Sequence, residues 1–432
     1  LAPERTVLLR GGTVVDSAGT RRADVLVRGG VIASVDLGGG TSVPAGAVVL
    51  DAGDCIVAPG LVDIHAHLRE PGGEEAETIE SGSRAAALGG YSAVVAMPNT
   101  DPAADSAAVV REVLALAKRA CCAVLPAGTI TVGRRGLALA PMAEMAALGV
   151  HIFTDDGTGV QDAGVMRRAL EYASALGVVV ADHCEEASLA GKGCMNEGDL
   201  SSLLGLPGRP AVSEEVMVLR DLALARLSGA RLHLLHLSTG RSVAAVRAAK
   251  AAGLDVTAEV TPHHLVLTEQ AASSYDPVFK VNPPLRTAAD NAALVEALRD
   301  GTIDAIATDH APHPPQSKQV AFCDAAPGMV GLETALPVAL GELGLPVQEV
   351  LALMSWRPAR IAGVPGEHGG PVVSGAPANL CVIDPGRRWV VQPEALASRS
   401  HNTPFAGREL VGRVRHTLFA GEPVVMAEQA QR

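Results

Sequence analysis

Leu61-Val-Asp-Ile-His-Ala-His-Leu-Arg69 rises as an apolar run out of Pro59-Gly60 and carries two histidines one residue apart. Such a run reads as a strand, and side chains two apart on a strand project to the same face. His65 and His67 therefore point together, with Arg69 just beyond the strand's end. Two imidazoles so placed can hold one metal ion, and a guanidinium beside them can hold a carboxylate.

Around this stretch, from 58 to about 365, apolar strand-like runs alternate with Ala/Leu-rich helical ones, the mark of a parallel α/β fold. Strands are predicted at Leu61–His67, Tyr91–Met97, Cys121–Ile130, Val150–Thr154, Val178–His183, Arg231–Leu237, Leu254–Val260 and Thr302–Thr308. Helices are predicted at Glu77–Leu88, Ala107–Arg119, Asp162–Leu176, Glu214–Leu227, Arg241–Ala252 and Ala288–Asp300. Eight such units point to a (β/α)8 TIM-type barrel, with a doubly wound open sheet as the competing arrangement.

Both chain ends have a different texture. Thr6–Val15, Ala23–Val35 and Ala47–Val57 alternate apolar and polar residues between turns such as Gly11-Gly12, Gly29-Gly30 and Gly38-Gly39-Gly40. Past 368, Asn379–Ile383, Trp389–Val391, Gly412–Phe419 and Pro423–Val425 resume the pattern, with Asp384-Pro385-Gly386 as a turn between the first two. The expectation is an antiparallel β-sandwich domain built from residues 1–57 and 368–432, beside a barrel of residues 58–367.

The chain is 48% hydrophobic but 2% aromatic, so the core must be made of Ala, Val, Leu and Ile. A formal charge of −12 with no basic stripe argues against nucleic acid and anionic membranes as partners. An acidic substrate would then have to be caught by local cations. Seven cysteines without any CxxC spacing fit a reduced, cytoplasmic protein better than a disulfide framework. No window approaches the roughly 18 apolar residues of a membrane span.

The polar residues that end the apolar runs carry the chemistry. They are His65 and His67 on the first strand, Asp155-Asp156 after the fourth, His183 after the fifth, His236 after the sixth and Asp309 after the eighth. Barrel active sites are assembled at the carboxyl ends of the strands, so these groups should converge. Four histidines with carboxylates suit a pair of borderline divalent ions, Zn2+ first, rather than Mg2+ or Ca2+. A pair needs a bridging anion, for which Asp155 and Asp156 both qualify, and Asp309 is the natural general base.

Asp63-Ile-His-Ala-His-Leu-Arg69 and Ala307-Thr-Asp-His-Ala-Pro-His-Pro-Pro-Gln-Ser-Lys318 resemble the two signatures of the dihydroorotases, within the amidohydrolase superfamily. Met97-Pro-Asn-Thr100, Phe153-Thr-Asp-Asp-Gly157, Glu259-Val-Thr-Pro-His-His-Leu265, Val281-Asn-Pro-Pro-Leu-Arg286 and Asn402-Thr-Pro-Phe405 resemble the long bacterial class I form. The resemblance implies reversible cyclisation of N-carbamoyl-L-aspartate to L-dihydroorotate in pyrimidine synthesis, by a metal-bound hydroxide with Asp309 as general acid and base. It also implies two zinc ions per chain, held by His65, His67, Asp156, His183, His236 and Asp309, with Asp156 as the bridge. Arg69, Asn99, Asn282, His313 and the backbone at Pro327-Gly328 match substrate-binding positions. His313 is expected as a second cation or donor, and His263 and His264, closing the seventh strand, as structural. A homodimer and association with aspartate transcarbamoylase are further implications.

Hydantoinases and allantoinases resemble this chain except after the fourth strand, where they bridge the metals with a carboxylated lysine. Phe153-Thr-Asp-Asp-Gly157 has no lysine. The one departure from the dihydroorotase pattern is Ala325-Ala-Pro-Gly328, where Pro-Phe-Gly or Pro-Pro-Gly is expected. All six ligand positions are kept, which argues against a non-catalytic scaffold subunit.

Overall fold

Eight short strands pair side by side in a computed structural model that describes residues 5–38 and 40–432. The strands are β1 (Leu61–Ala66), β2 (Tyr91–Ala96), β3 (Ala123–Pro126), β4 (Ile152–Phe153), β5 (Val179–Asp182), β6 (Arg231–Leu234), β7 (Val256–Val260) and β8 (Ala305–Ile306). Neighbours pair in parallel, β1 to β3 in one ladder and β4 to β8 in another. Parallel bridges Gly128–Phe153 and Ala66–His310 join the two ladders at both seams, so the sheet closes into a barrel. The open-sheet alternative is excluded. All eight predicted strands are present, each shorter than its apolar run because the run continues into the loop.

Val62, Ile64, Val95, Ile152, Val179, Ala181 and Ala305, contributed from around the ring, fill the interior with Ala359 and Ile361 of the helix Arg357–Ile361. Leu61, Val94, Phe153, Val180, Leu232 and Ile306 face outward against the surrounding helices. These helices fall where the 3.6-residue period puts them, including Ala163–Leu176, Val212–Ser228, Gly240–Ala251 and Ala288–Arg299. The first begins at Ile79 rather than Glu77, because Thr78 and Ser81 form a capping box. Glu77 is left outside the helix, buried, and accepts from Nε2 of His310 at 3.2 Å.

The chain ends form one nine-stranded sheet running from Gln429–Ala430 through Leu380–Val390 and Thr6–Asp16 to Val31–Leu37. It encloses its own core of Val7, Leu9, Val25, Val57, Leu380 and Leu418, the expected sandwich. Two details differ from expectation. Thr6–Asp16 pairs in parallel with Val48–Asp51 and Ile56–Pro59, so the sheet is mixed rather than antiparallel. Asp384-Pro385-Gly386 does not separate two strands. It is an irregularity inside the single strand Leu380–Val390, which resumes its pairing at Arg388. Gly39 of the third expected turn lies outside the described residues. No helix among them is long and apolar enough to cross a membrane.

Candidate metal-binding active site

Strict alternation would turn His65 outward with Leu61, since Val62 and Ile64 point into the barrel. The β1–β2 register slips between Asp63 and Ala66, and slips of this kind re-aim side chains. His65 and His67 accordingly sit with ring centres 5.4 Å apart, and Nε2 of each meets Oδ1 of Asp309, at 3.5 and 3.0 Å.

Asp156, three residues beyond the end of β4, is the hub. Its Oδ1 lies 3.5 Å from His65, 3.5 Å from His183 and 3.7 Å from His236, while its Oδ2 lies 3.5 Å from His67. Nδ1 of His183 and Nε2 of His236 face each other at 2.9 Å. All six sequence-predicted ligand positions therefore meet at the carboxyl mouth of the barrel, and all six side chains are buried. Asp155 turns away, accepting from the backbone N–H groups of Ile130 and Thr131 at 2.9 and 3.0 Å. That separates the two aspartates, which spacing alone left equivalent.

Above the cluster opens a cavity of about 230 Å3 lined by His67, Arg69, Asn99, Asp156, Asn282, Asp309, His313, Pro327 and Gly328 among others. Every predicted substrate position is on its wall. Arg69 makes no ion pair with Glu70. Its Nε donates to the carbonyl of Pro312 at 3.2 Å, and Glu70 accepts from the N–H of Ile79 instead. Oδ1 of Asn99 lies 2.9 Å from Nδ1 of His67, which leaves the amide nitrogen free, and Nδ2 of Asn282 lies 3.3 Å from Nε2 of His183. Arg69, His236 and Asp309 have φ of +62°, +30° and +45°, sparsely populated values that persist where the surrounding structure holds them.

Residues 54–242 match a family model described as Dihydro-orotase-like. The chain is 51% identical over 427 residues to a Streptomyces coelicolor protein named Dihydroorotase, covering 97% of this chain and 98% of that one. A Mycobacterium leprae protein of the same name is 48% identical, with 98% and 99% covered. The chain belongs to the dihydroorotase family. Among solved structures, an L-hydantoinase (dihydropyrimidinase) from Arthrobacter aurescens superposes with a TM-score of 0.89 at 26% identity, covering 99% of this chain and 97% of that one. A D-hydantoinase (dihydropyrimidinase) from Thermus sp. gives 0.83 at 24% identity, with 98% and 96% covered. The dihydroorotase-family chain thus shares its fold with these hydantoinases.

Electrostatics in this member of the family follow from crowding four imidazoles and two carboxylates out of water. Burial alone would raise the Asp156 and Asp309 carboxyls, but His65 and the other imidazoles hold both well below the usual range. Burial likewise opposes a proton on His65, yet Asp156, Glu259 and Asp309 push its pKa well above normal. A proton on His65 and a cation would draw on the same negative charge. Nε2 of His65 and Nδ1 of His236 are buried without a hydrogen-bond partner, and mixed imidazole–carboxylate donors suit a borderline divalent metal. The residues fit a metal.

Of the two roles expected of His313, cation or donor, its surroundings favour the donor. Burial and the nearby Arg69 charge push its pKa down to about 3, and its Nε2 lies 2.8 Å from the carbonyl of Pro327. His263 and His264 lie beyond β7 on the short helix Pro262–Val266, with His264 held by Thr261 and the carbonyl of Pro283. A further buried group, Asp182, Cys184 and Asp221, is already partnered by Arg220, 2.7 Å from Asp221. The seven cysteines are all free.

Two residues of the site escaped the sequence reading. Arg134, on the loop after β3, lines the cavity and donates to the backbone carbonyl of Asp156. Glu259, in β7, places Oε1 2.6 Å from Nδ1 of His65 and Oε2 3.1 Å from Nε2 of His233. The signals for Glu259 were its place at the head of the Glu259–Leu265 motif and a charged residue inside a strand, which in a barrel core demands a partner.

Proposed function

We propose that the chain is a zinc-dependent cyclic amidohydrolase that interconverts N-carbamoyl-L-aspartate and L-dihydroorotate in de novo pyrimidine biosynthesis. The observation that carries this reading is Asp156, a carboxylate within 3.7 Å of four imidazoles at the position where a hydantoinase would need a lysine. On this reading His65, His67, Asp156, His183, His236 and Asp309 hold two zinc ions. When bound, the metal polarises the amide carbonyl and acidifies water toward neutral pH.

The chain's own groups supply the rest. Arg69 takes the α-carboxylate of the substrate, whose negative charge the overall −12 of the protein would otherwise repel. Asn99 and Asn282 present amide donors and acceptors to carboxylate and ureide edges, and His313 with the backbone at Pro327-Gly328 forms the opposite wall. Asp309 accepts a proton from the attacking water in the hydrolytic direction and passes it to the departing ring nitrogen. In cyclisation it removes the proton from the ureido nitrogen. Residues 58–367 would be the catalytic unit, supported by 1–57 and 368–432. A cytoplasmic homodimer able to associate with aspartate transcarbamoylase completes the proposal.

The test is an assay of purified, metal-analysed protein against L-dihydroorotate, N-carbamoyl-L-aspartate and hydantoin. Turnover of the first two and not of hydantoin is expected. Hydantoin hydrolysis without dihydroorotate turnover would overturn the reading.

A further inference from the structure

Asn402, on the segment that leads from the sandwich strand Leu380–Val390 to the strand Glu409–Phe419, reaches the rim of the substrate cavity without lining it. Its side chain is buried and fully used. Oδ1 accepts from the N–H of His313 at 3.2 Å, while Nδ2 donates to the carbonyls of Ala311 and Gly328 at 3.0 and 3.1 Å. Its own carbonyl accepts from the N–H of Val330 at 3.1 Å. Ala311–His313 and Pro327-Gly328 are the two ends of one excursion over the barrel mouth, so a single amide pins both. The ends are tightly apposed. A Cβ on Gly328, where φ is +145°, would meet Nε2 of His313 at 2.8 Å and Cβ of Ala311 at 2.7 Å.

The pin has a firm base. Ser400 donates to the carbonyl of Ala76 at 2.7 Å, Ser398 donates to Glu77, and Phe405 packs with Val338, Val391 and Leu410. Only a primary amide offers one acceptor and two donors in this plane. An aspartate would keep the bond from His313 but set a carboxylate against two carbonyl oxygens.

The geometry points to Asn402 as a positioning residue for substrate binding, acting through His313 and Gly328 from outside the barrel. The proposal rests on the assignment of His313 and Pro327-Gly328 to the substrate. It is tested by steady-state kinetics on N402A, on the isosteric N402D and on N402A combined with H313A, with metal content and thermal midpoint measured for each. In N402A, KM for L-dihydroorotate should rise at least tenfold while kcat stays within threefold and bound metal is unchanged. N402D should be no better than N402A, and remains informative if N402A does not fold. In the H313A background, N402A should cost less than it does alone, because the part of its effect that runs through the His313 side chain is already gone. An unchanged KM in N402A, wild-type KM in N402D, or fully additive losses would overturn the proposal. If H313A alone leaves KM unchanged, the substrate assignment itself fails and takes the proposal with it.

Discussion

Oε1 of Glu259 lies 2.6 Å from Nδ1 of His65, while Nε2 of the same ring faces Asp156 and Asp309 at 3.5 Å each. The same oxygen accepts from the N–H of His236 at 3.3 Å, so one carboxylate on β7 steadies a histidine within β1 and another just past β6. Carboxylates behind metal-ligating histidines fix the tautomer and the ring plane. Glu259→Gln should weaken metal binding about 10- to 100-fold, the usual cost of losing such a partner. Competition with a chelator measures this directly, and unchanged affinity would show that Glu259 only fills the core.

Asp156 meets all four imidazoles, and no other group in the cluster does. Asp156→Ala should lower bound metal and cut turnover by at least about 100-fold, the scale of losing one electrostatic stabiliser. Metal analysis and a dihydroorotate assay check both. Full metal content with full turnover would refute its central place.

Arg69 stays charged near neutral pH even though burial pulls its pKa down to about 10. Arg69→Lys keeps the charge but loses the fork that grips a carboxylate at two points. Charge-assisted hydrogen bonds are worth about 1.5–3 kcal/mol, so KM should rise about 10- to 100-fold with a smaller effect on kcat. Equal loss in kcat and kcat/KM would instead tie Arg69 to the transition state.

Asp63 seals the barrel between β1 and β8, its Oδ1 accepting from the N–H of Thr308 at 3.0 Å and of His65 at 3.3 Å. Burial, only partly offset by these bonds, raises its pKa from 3.8 to about 7. The folded state therefore holds a proton that the unfolded chain releases, so stability is fullest below about pH 4 for this group and is lost as pH rises through 7. The difference is worth about 4 kcal/mol at most. Asp63→Asn keeps the Oδ1 acceptor and removes the ionisation. Denaturant melts at pH 5 and pH 8 should show a smaller loss in the variant than in the wild type, and equal slopes would show that Asp63 does not titrate in this range.

Much of this site was legible because a closed parallel barrel presents the carboxyl end of every strand at one rim. His183, His236 and Asp309 could be picked out one by one as the polar residue that ends an apolar run. His65 and His67 were paired by the two-residue strand period and do lie together, though the β1–β2 register slips just after Asp63, a shift no sequence period shows. Glu259 and Arg134 were given no role because their partners lie on other strands and loops of the barrel, at separations no local period reports. The parallel pairing of Thr6–Asp16 with Val48–Asp51 was likewise invisible, since an alternating strand reads the same in either direction.

The succession of strands and helices, the polar residues that end the strands and the absence of lysine after β4 were determined by the sequence alone, because each is a matter of periodicity or composition along the chain. The turning away of Asp155, the lowered pKa of His313 and the reach of Asn402 from the far end of the chain were decided only by the tertiary structure. Those depend on which groups share a few ångströms of water-free space, and that is set by closing the barrel rather than by any neighbour in sequence.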